Sequence, residues 1–210
     1  MRAWVVAGGH FHPDTIDLSA ISSTDVVIGV DKGIGYCLSV GLIPDLLMGD
    51  FDSIDPVLLE DSRLEGVEKQ RFPERKNSSD LDLALQWLRS SDVDHVTLIA
   101  ISGGRSDHHL FNWLLPLQQE LTFAIELIDA SVHAYLVTPQ HPLKTVADAG
   151  QLVSLVPMPE ASGVSTQGLE YPLHDAELKA GSTLGLSNVA SQVSIGVSVS
   201  KGKLLVFRVR

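Results

Sequence analysis

The sequence predicts an α/β fold over residues 1–130, a parallel sheet with flanking helices, followed by a small antiparallel β-sandwich or roll over residues 131–210. Three observations predict it. Up to about residue 130, short unbroken apolar runs alternate with stretches of helical spacing, as in a parallel sheet covered on both faces. After about residue 131 the helical spacing vanishes, and short runs are separated by Gly, Pro, Ser and Asn. Near the carboxyl end, apolar and small polar residues alternate with a period of two, the pattern of a half-exposed strand.

Each element follows from its own residues. Residues 4–7, 26–30, 46–48, 96–101 and 123–128 are the unbroken apolar runs and read as buried parallel strands. Between them, Leu81, Ala84, Leu85 and Leu88 recur at helical spacing, and so do Leu110, Trp113, Leu114 and Leu117. In the second part, residues 133–138, 151–156, 193–199 and 203–209 read as strands. Val193, Ile195, Val197 and Val199 alternate with Ser194, Gly196 and Ser198. Lys201-Gly202 then fits a hairpin turn into the last strand.

Composition narrows the function. The apolar fraction of 44% and charged fraction of 20% exclude a disordered or collagen-like chain. A chain of this length buries roughly 70% of its unfolded surface, so folding needs neither disulfide nor structural metal. Fifteen basic against 26 acidic residues give a net charge of -11, which repels nucleic acid and anionic membranes alike. It suits divalent metals and a cationic small molecule. Cys37 is the single cysteine and lies in an apolar context, which predicts a buried inert thiol and a reducing, cytoplasmic location. No run approaches the roughly 20 apolar residues of a membrane span. The first apolar stretch is too short for a signal peptide and runs at once into His10 and Pro13.

The chemistry is expected where an open parallel sheet binds ligands, beyond the carboxyl ends of its strands. Gly8-Gly9-His10, Asp31-Lys32-Gly33, Gly49-Asp50-Phe51-Asp52-Ser53 and Ser102-Gly103-Gly104-Arg105-Ser106-Asp107-His108 follow strands. Asp50 and Asp52, two apart in an extended segment, project to one side while Phe51 turns into the core. With Asp31 they make a Mg²⁺ seat, because Mg²⁺ is held by one or two carboxylates plus substrate phosphates; a solvated acidic turn is the plainer alternative. Gly103 and Gly104 let the backbone approach a phosphate at a helix start, and Arg105 adds a planar fork for its oxygens. A tight turn that binds nothing is the alternative there. Ser79 with Asp82 forms a capping box, with Asp107 a simple helix cap further on. Capping leaves the charges of Lys76 and Asp80 unexplained. His10 and His12 lack partners at ligand spacing for a transition metal. Of His108 and His109, one can face the crevice.

These motifs resemble thiamine pyrophosphokinase. The resemblance is carried by Gly49-Asp50-Phe51-Asp52-Ser53-Ile54, by Asp80-Leu81-Asp82-Leu83-Ala84-Leu85, and by Gly103-Gly104-Arg105-Ser106-Asp107-His108 with Asn112. Gly168-Leu169-Glu170-Tyr171-Pro172-Leu173 and Ser187-Asn188 continue it into the second part, in the family's order. It implies Mg²⁺-dependent transfer of pyrophosphate from ATP to the hydroxyethyl group of thiamine, giving thiamine diphosphate and AMP. It implies a Rossmann-like catalytic, ATP- and Mg²⁺-binding domain over residues 1–130. A thiamine-binding β-sandwich domain over residues 131–210 follows. It also implies a homodimer, with thiamine held between the catalytic domain of one subunit and the β-domain of the other.

The implied roles are residue by residue. Asp50, Asp52 and Asp80 are catalytic and hold the metal, and Arg105 is catalytic. Asp31, Lys76, Ser102, Gly103, Gly104, Arg105, Asp107, His108 and Asn112 bind ATP. Tyr171, Ser187 and Asn188 bind thiamine. Two positions depart from the family's pattern. Asn77 stands where the family often has Asp, and Val189 follows Ser187-Asn188 where an acidic residue is common. Two other readings stand beside this one. A thiamine or thiamine diphosphate sensor without catalysis is suggested by Asn77. Another Mg²⁺-ATP-dependent transferase on a similar sheet would release ADP if it moved a single phosphoryl group.

Overall fold

The computed structural model describes residues 1–52, 54–118, 120 and 122–210. Ser53 of the Asp-rich motif lies outside the described residues. The chain divides into two compact units, Met1–Ala130 and Ser131–Arg210.

In the first unit the strands are β1 (Arg2–Val6), β2 (Val26–Val30), β3 (Leu46–Gly49), β4 (Glu68–Arg71), β5 (His95–Ile99) and β6 (Ala124–Ile128). The helices are α1 (Gly33–Ser39), α2 (Pro56–Leu59), α3 (Asp80–Leu88) and α4 (Ser106–Gln118). The sheet runs β4-β3-β2-β1-β5-β6, and every pairing is parallel. The chain winds outward from β1 to β4, then returns to β5 on the other side of β1. The strand order therefore reverses between β1 and β5, which is where an open α/β sheet forms its crevice.

The apolar runs became buried strands because helices and loops cover them on both faces. Trp4, Val6, Val27, Cys37 and Ile99 form one apolar cluster. Ile34, Leu38, Leu47, Phe51, Ile54 and Leu64 form another. Cys37 is buried, and burial pushes its thiol up to about 12, so it is an inert core group. Ser79 caps α3 by accepting a hydrogen bond from the Asp82 amide at 3.2 Å, while Leu81, Ala84, Leu85 and Leu88 face the core as their spacing predicts. In α4, Trp113 and Leu117 are buried but Leu110 is 56% exposed, beside an exposed Phe111. Leu110 is thus not part of the inward stripe that its spacing suggested.

The second unit contains β7 (Val132–Val137), β8 (Leu143–Val146), β9 (Leu152–Gln167), β10 (Ala176–Lys179), β11 (Asn188–Val189), β12 (Ser194–Ser198) and β13 (Lys201–Val209). They form an antiparallel β-sandwich in which β9 pairs with β10, β11, β12 and β13, β7 pairs with β13, and β8 pairs with β12. Val153, Leu155, Val164, Ile195, Val197, Leu204 and Val206 fill its core. Ile195 and Val197 are buried while Ser194 and Ser198 are exposed, as the alternation requires, but Val193, expected on the inward face, lies outside β12 and is exposed.

The hairpin expected at Lys201-Gly202 is absent. Both residues already lie in β13, where Lys201 faces Ser162 and Gly202 faces Ala161 of β9, and β12 pairs with β8 and β9 instead. A long neighbouring strand thus offered β12 and β13 more ladder than they could offer each other. β9 also runs far beyond the expected residue 156, through Pro157 and Pro159. The register against β13 shifts between Gly202 and Leu204, opposite this stretch, so the irregularity accommodates residues that cannot donate to a ladder.

No described helix is long and apolar enough to cross a membrane.

Candidate active site

The carboxyl ends of β2 and β3 and the start of α3 bring acidic side chains together around one lysine. Lys76, in the loop before α3, has its Nζ 2.9 Å from Asp80 Oδ1 and 4.0 Å from Asp50 Oδ2. These side chains are mostly buried, at 14% exposure for Lys76, 18% for Asp50 and 15% for Asp80. Asp31 joins them from the end of β2. Its carboxyl is pushed up to about 7, first by burial, then by the negative charges of Asp80 and Asp50; Lys76 opposes the rise. Asp50 lies on the other side of its usual value. The Asp52 amide, donating to Asp50 Oδ1 at 3.0 Å, holds it down, with help from Lys76 and Arg71.

Backbone geometry makes this gathering possible. Asp31 and Phe51 sit at φ 47° and 62°, in the left-handed region that non-glycine residues seldom occupy. The segment Asp50–Asp52 is therefore a tight turn rather than the extended run its spacing suggested. Asp50 receives the Asp52 amide across that turn, and Phe51 still buries its ring, at 8% exposure. Gly49 lies so close to Asp31 that a Cβ there would stand 2.0 Å from Asp31 Oδ1. Only glycine lets β3 pass the carboxylate.

The carboxylate cluster fits a hard divalent cation. Asp31 Oδ1 is buried with no hydrogen-bond partner. Asp80 Oδ1 is buried as well and has Lys76 beside it as an ion pair without hydrogen-bond alignment. One lysine cannot neutralise Asp31, Asp50 and Asp80, and that shortfall adds to burial in raising the Asp31 carboxyl. Among the described residues no three carboxylate, thiol or imidazole groups converge as a self-sufficient metal cage. An open arrangement of this kind suits Mg²⁺, which takes its remaining oxygens from water and phosphates.

The loop between β5 and α4 forms the other side of the crevice. Ala100 sits at φ 55°, Gly103 at 115° and Gly104 at 63°. Ser102 is buried and its hydroxyl accepts from Trp113 Nε1 at 3.0 Å, which anchors the loop to α4. Asn112 donates to the Ile101 carbonyl at 2.8 Å, so its side chain braces the same loop from below. Arg105 is 71% exposed and pairs with Asp107 at 2.6 Å. That guanidinium pulls the Asp107 carboxyl down to about 2. The structure thus brings Asp31, Asp50, Lys76 and Asp80 into contact, ties Asp52 to them through its amide, and leaves Arg105 and Asp107 paired with each other.

A cleft of about 410 Å³ opens between the loop before α3 and the outer face of α4. Asn77, Ser79 and Asp82 line one wall; His108, Phe111 and Asn112 line the other. His108 faces this cleft. Phe111 and Arg71 were missed in the sequence. Arg71 ends β4, donates to the Asp50 carbonyl at 3.2 Å and stands over the Phe51 ring. The polar run Glu68–Arg71 gave no strand signal, so nothing pointed to it.

Tyr171, Ser187 and Asn188 belong to the second unit. Asn188 is buried and grips Tyr171 by the backbone: its Oδ1 accepts from the Tyr171 amide at 3.1 Å and its Nδ2 donates to the Tyr171 carbonyl at 2.7 Å. The Tyr171 side chain stays 63% exposed. Ser187 sits at φ 57° and donates its amide to Ser154 Oγ at 3.0 Å.

Comparison with known proteins agrees with this architecture. Residues 18–125 match the family model of the thiamin pyrophosphokinase catalytic domain, and residues 140–204 match that of the thiamin pyrophosphokinase vitamin B1 binding domain. A thiamine pyrophosphokinase of Bacillus subtilis is 33% identical over 97% of this chain and 96% of its own. The crystal structure of a Bacillus subtilis thiamine pyrophosphokinase superposes with a TM-score of 0.87 at 29% identity, covering 100% of this chain and 99% of that one. A Geobacillus thermodenitrificans thiamin pyrophosphokinase gives 0.80 at 25% identity, covering 100% and 98%. Yeast thiamin pyrophosphokinase, at 13% identity, shares the fold with a TM-score of 0.67 over 100% of this chain and 86% of its own. Matched in both of its units and along nearly its whole length, this chain belongs to the thiamine pyrophosphokinase family and is an enzyme of that family, a thiamine diphosphokinase.

Proposed function

We propose that the enzyme transfers the pyrophosphoryl group of ATP to thiamine, with Mg²⁺ held at Asp50, Asp52 and Asp80. The thiamine hydroxyl oxygen attacks the β-phosphorus, the bond from that phosphorus to the bridging α,β-oxygen breaks, and AMP leaves with the bridging oxygen. The observation that carries this reading is the meeting of Asp31, Asp50 and Asp80 around Lys76 at the strand ends. Transfer of this kind is chiefly a matter of alignment and charge, for which such a cluster is suited.

The chemistry that Mg²⁺ supplies when bound is neutralisation of charge on the triphosphate. Lys76 extends that neutralisation and holds Asp50 and Asp80 in place between substrates. Arg105 exchanges its exposed partner Asp107 for phosphate oxygens and stabilises the charge that builds on AMP. Ser102, Gly103 and Gly104 present the loop backbone to the phosphates, and His108 with Asn112 frames the cleft beside them. Asp80 orients the thiamine hydroxyl and takes its proton. Tyr171, with Ser187 and Asn188, receives the cationic thiamine; an exposed aromatic face attracts such a cation. A homodimer in the cytoplasm completes the reading, and the buried, unreactive Cys37 is compatible with that compartment.

Incubation with ATP, Mg²⁺ and thiamine tests it. Thiamine diphosphate and AMP should appear in equal amounts. ADP in place of AMP would sink pyrophosphoryl transfer, and thiamine binding without AMP would favour the sensor suggested by Asn77.

A further inference from the structure

The loops after β1 and β5 are laced together across the point where the strand order reverses. The Gly9 amide donates to the Ala100 carbonyl at 2.7 Å, and the His10 amide donates to the Ser102 carbonyl at 2.6 Å. The His10 side chain adds a third tie, its Nε2 accepting from the Gly104 amide at 3.3 Å. Its ring also fills the space over Gly103, where a Cβ would stand 2.3 Å from His10 Cγ. His10 therefore touches both glycines of the loop, one by packing and one by a hydrogen bond. Nε2 can accept only in the neutral ring with its proton on Nδ1.

We propose that His10 is a positioning residue for the nucleotide phosphates, holding the Gly103-Gly104 turn in its receiving conformation before the nucleotide arrives. The inference rests on the reading of this loop as part of the triphosphate site. Its physical basis is conformational entropy. Gly103 and Gly104, at φ 115° and 63°, lose more freedom on ordering than any other residue type would. A loop ordered in advance spares the ligand that cost and binds more tightly. His10 is itself exposed, so it acts by holding the loop rather than by supporting the core.

Two full-length variants test it. His10→Phe keeps a ring over Gly103 and loses the acceptor; His10→Gln offers an acceptor at the reach of Nε2. Two measurements are made on each, with a melting curve to confirm folding. In nucleotide-free protein, solvent exchange of the Gly104 amide, read by NMR, should quicken about fivefold in His10→Phe, the worth of one modest hydrogen bond, and return near the wild-type rate in His10→Gln. In turnover, KM for Mg-ATP should rise about fivefold in His10→Phe with kcat and the KM for thiamine unchanged, and His10→Gln should restore it. Unchanged exchange in His10→Phe overturns the latch. A fall in the KM for Mg-ATP also overturns it, because His10 would then compete with phosphate. A wild-type protein that makes no AMP from ATP would overturn the functional reading instead, and it would show itself before either variant is compared.

Discussion

Lys76 Nζ stands 2.9 Å from Asp80 Oδ1, four residues along, so the loop before α3 and the first residue of that helix are tied by an ion pair. The same lysine reaches Asp50 at 4.0 Å. One cation is thus divided between the loop after β3 and the start of α3, with the Asp31 carboxyl left over beside them. The electrostatics of the site turn on this imbalance, and each carboxylate can be probed separately.

Asp31 makes stability depend on pH. Its carboxyl titrates near 3.8 in the unfolded chain and at about 7 in the folded one. Between those values the folded chain keeps a proton that the unfolded chain has released. Stability contributed by this group is therefore present below pH 3.8 and is lost as pH rises toward 7. In Mg²⁺-free buffer the melting temperature should carry that downward slope, and Asp31→Asn should flatten it and melt higher at pH 8. Added Mg²⁺ should raise the wild-type melting temperature at pH 8. Identical pH profiles for wild type and Asp31→Asn would refute the assignment.

Asp52 separates chemistry from folding. Its side chain is exposed, and its amide, with help from that side chain, holds the Asp50 carboxyl down. Asp52→Asn should melt within a degree or two of wild type yet lose roughly 10²–10³ in kcat, the scale of a lost transition-state charge contact. Full turnover in this variant would remove Asp52 from the metal seat.

Arg105 is expected to matter only when phosphate is present. It is exposed and paired with the exposed Asp107, a surface pair of small worth to stability. Arg105→Ala should leave the melting curve unchanged and lower kcat/KM for ATP by roughly 10²-fold. Normal kinetics would strike it from the charge-stabilising role.

Tyr171 presents its ring while Asn188 holds its backbone. Tyr171→Ala should raise the KM for thiamine about tenfold, the worth of a partly desolvated cation–π contact, and Tyr171→Phe should recover most of it. The KM for ATP should not move in either. Equal effects on both substrates would point to a disturbed fold.

How far the sequence spoke depended on where the information lay. Buried parallel strands announced themselves, because covering both faces of β2 or β3 leaves no room for polar residues. The acidic loops were legible because such sheets place ligands at strand ends. β4 was silent, since Glu68–Arg71 is a polar edge with no apolar run. Pro157 and Pro159 hid the length of β9, and the irregular register that tolerates them is set by β13, far along the chain. The His10–Gly104 contact joins residues 94 apart and leaves no local trace. The turn at Phe51 was misread as extended because spacing alone carries no dihedral angle.

β9 pairs with four other strands, β10, β11, β12 and β13, so most of the second unit's ladder cannot zip until this one segment is in place. Its partners lie downstream, which postpones consolidation until β13 has been synthesised. Such distant pairing makes for slow assembly, and a chain shortened before β13 would strand β9 as an open, sticky edge.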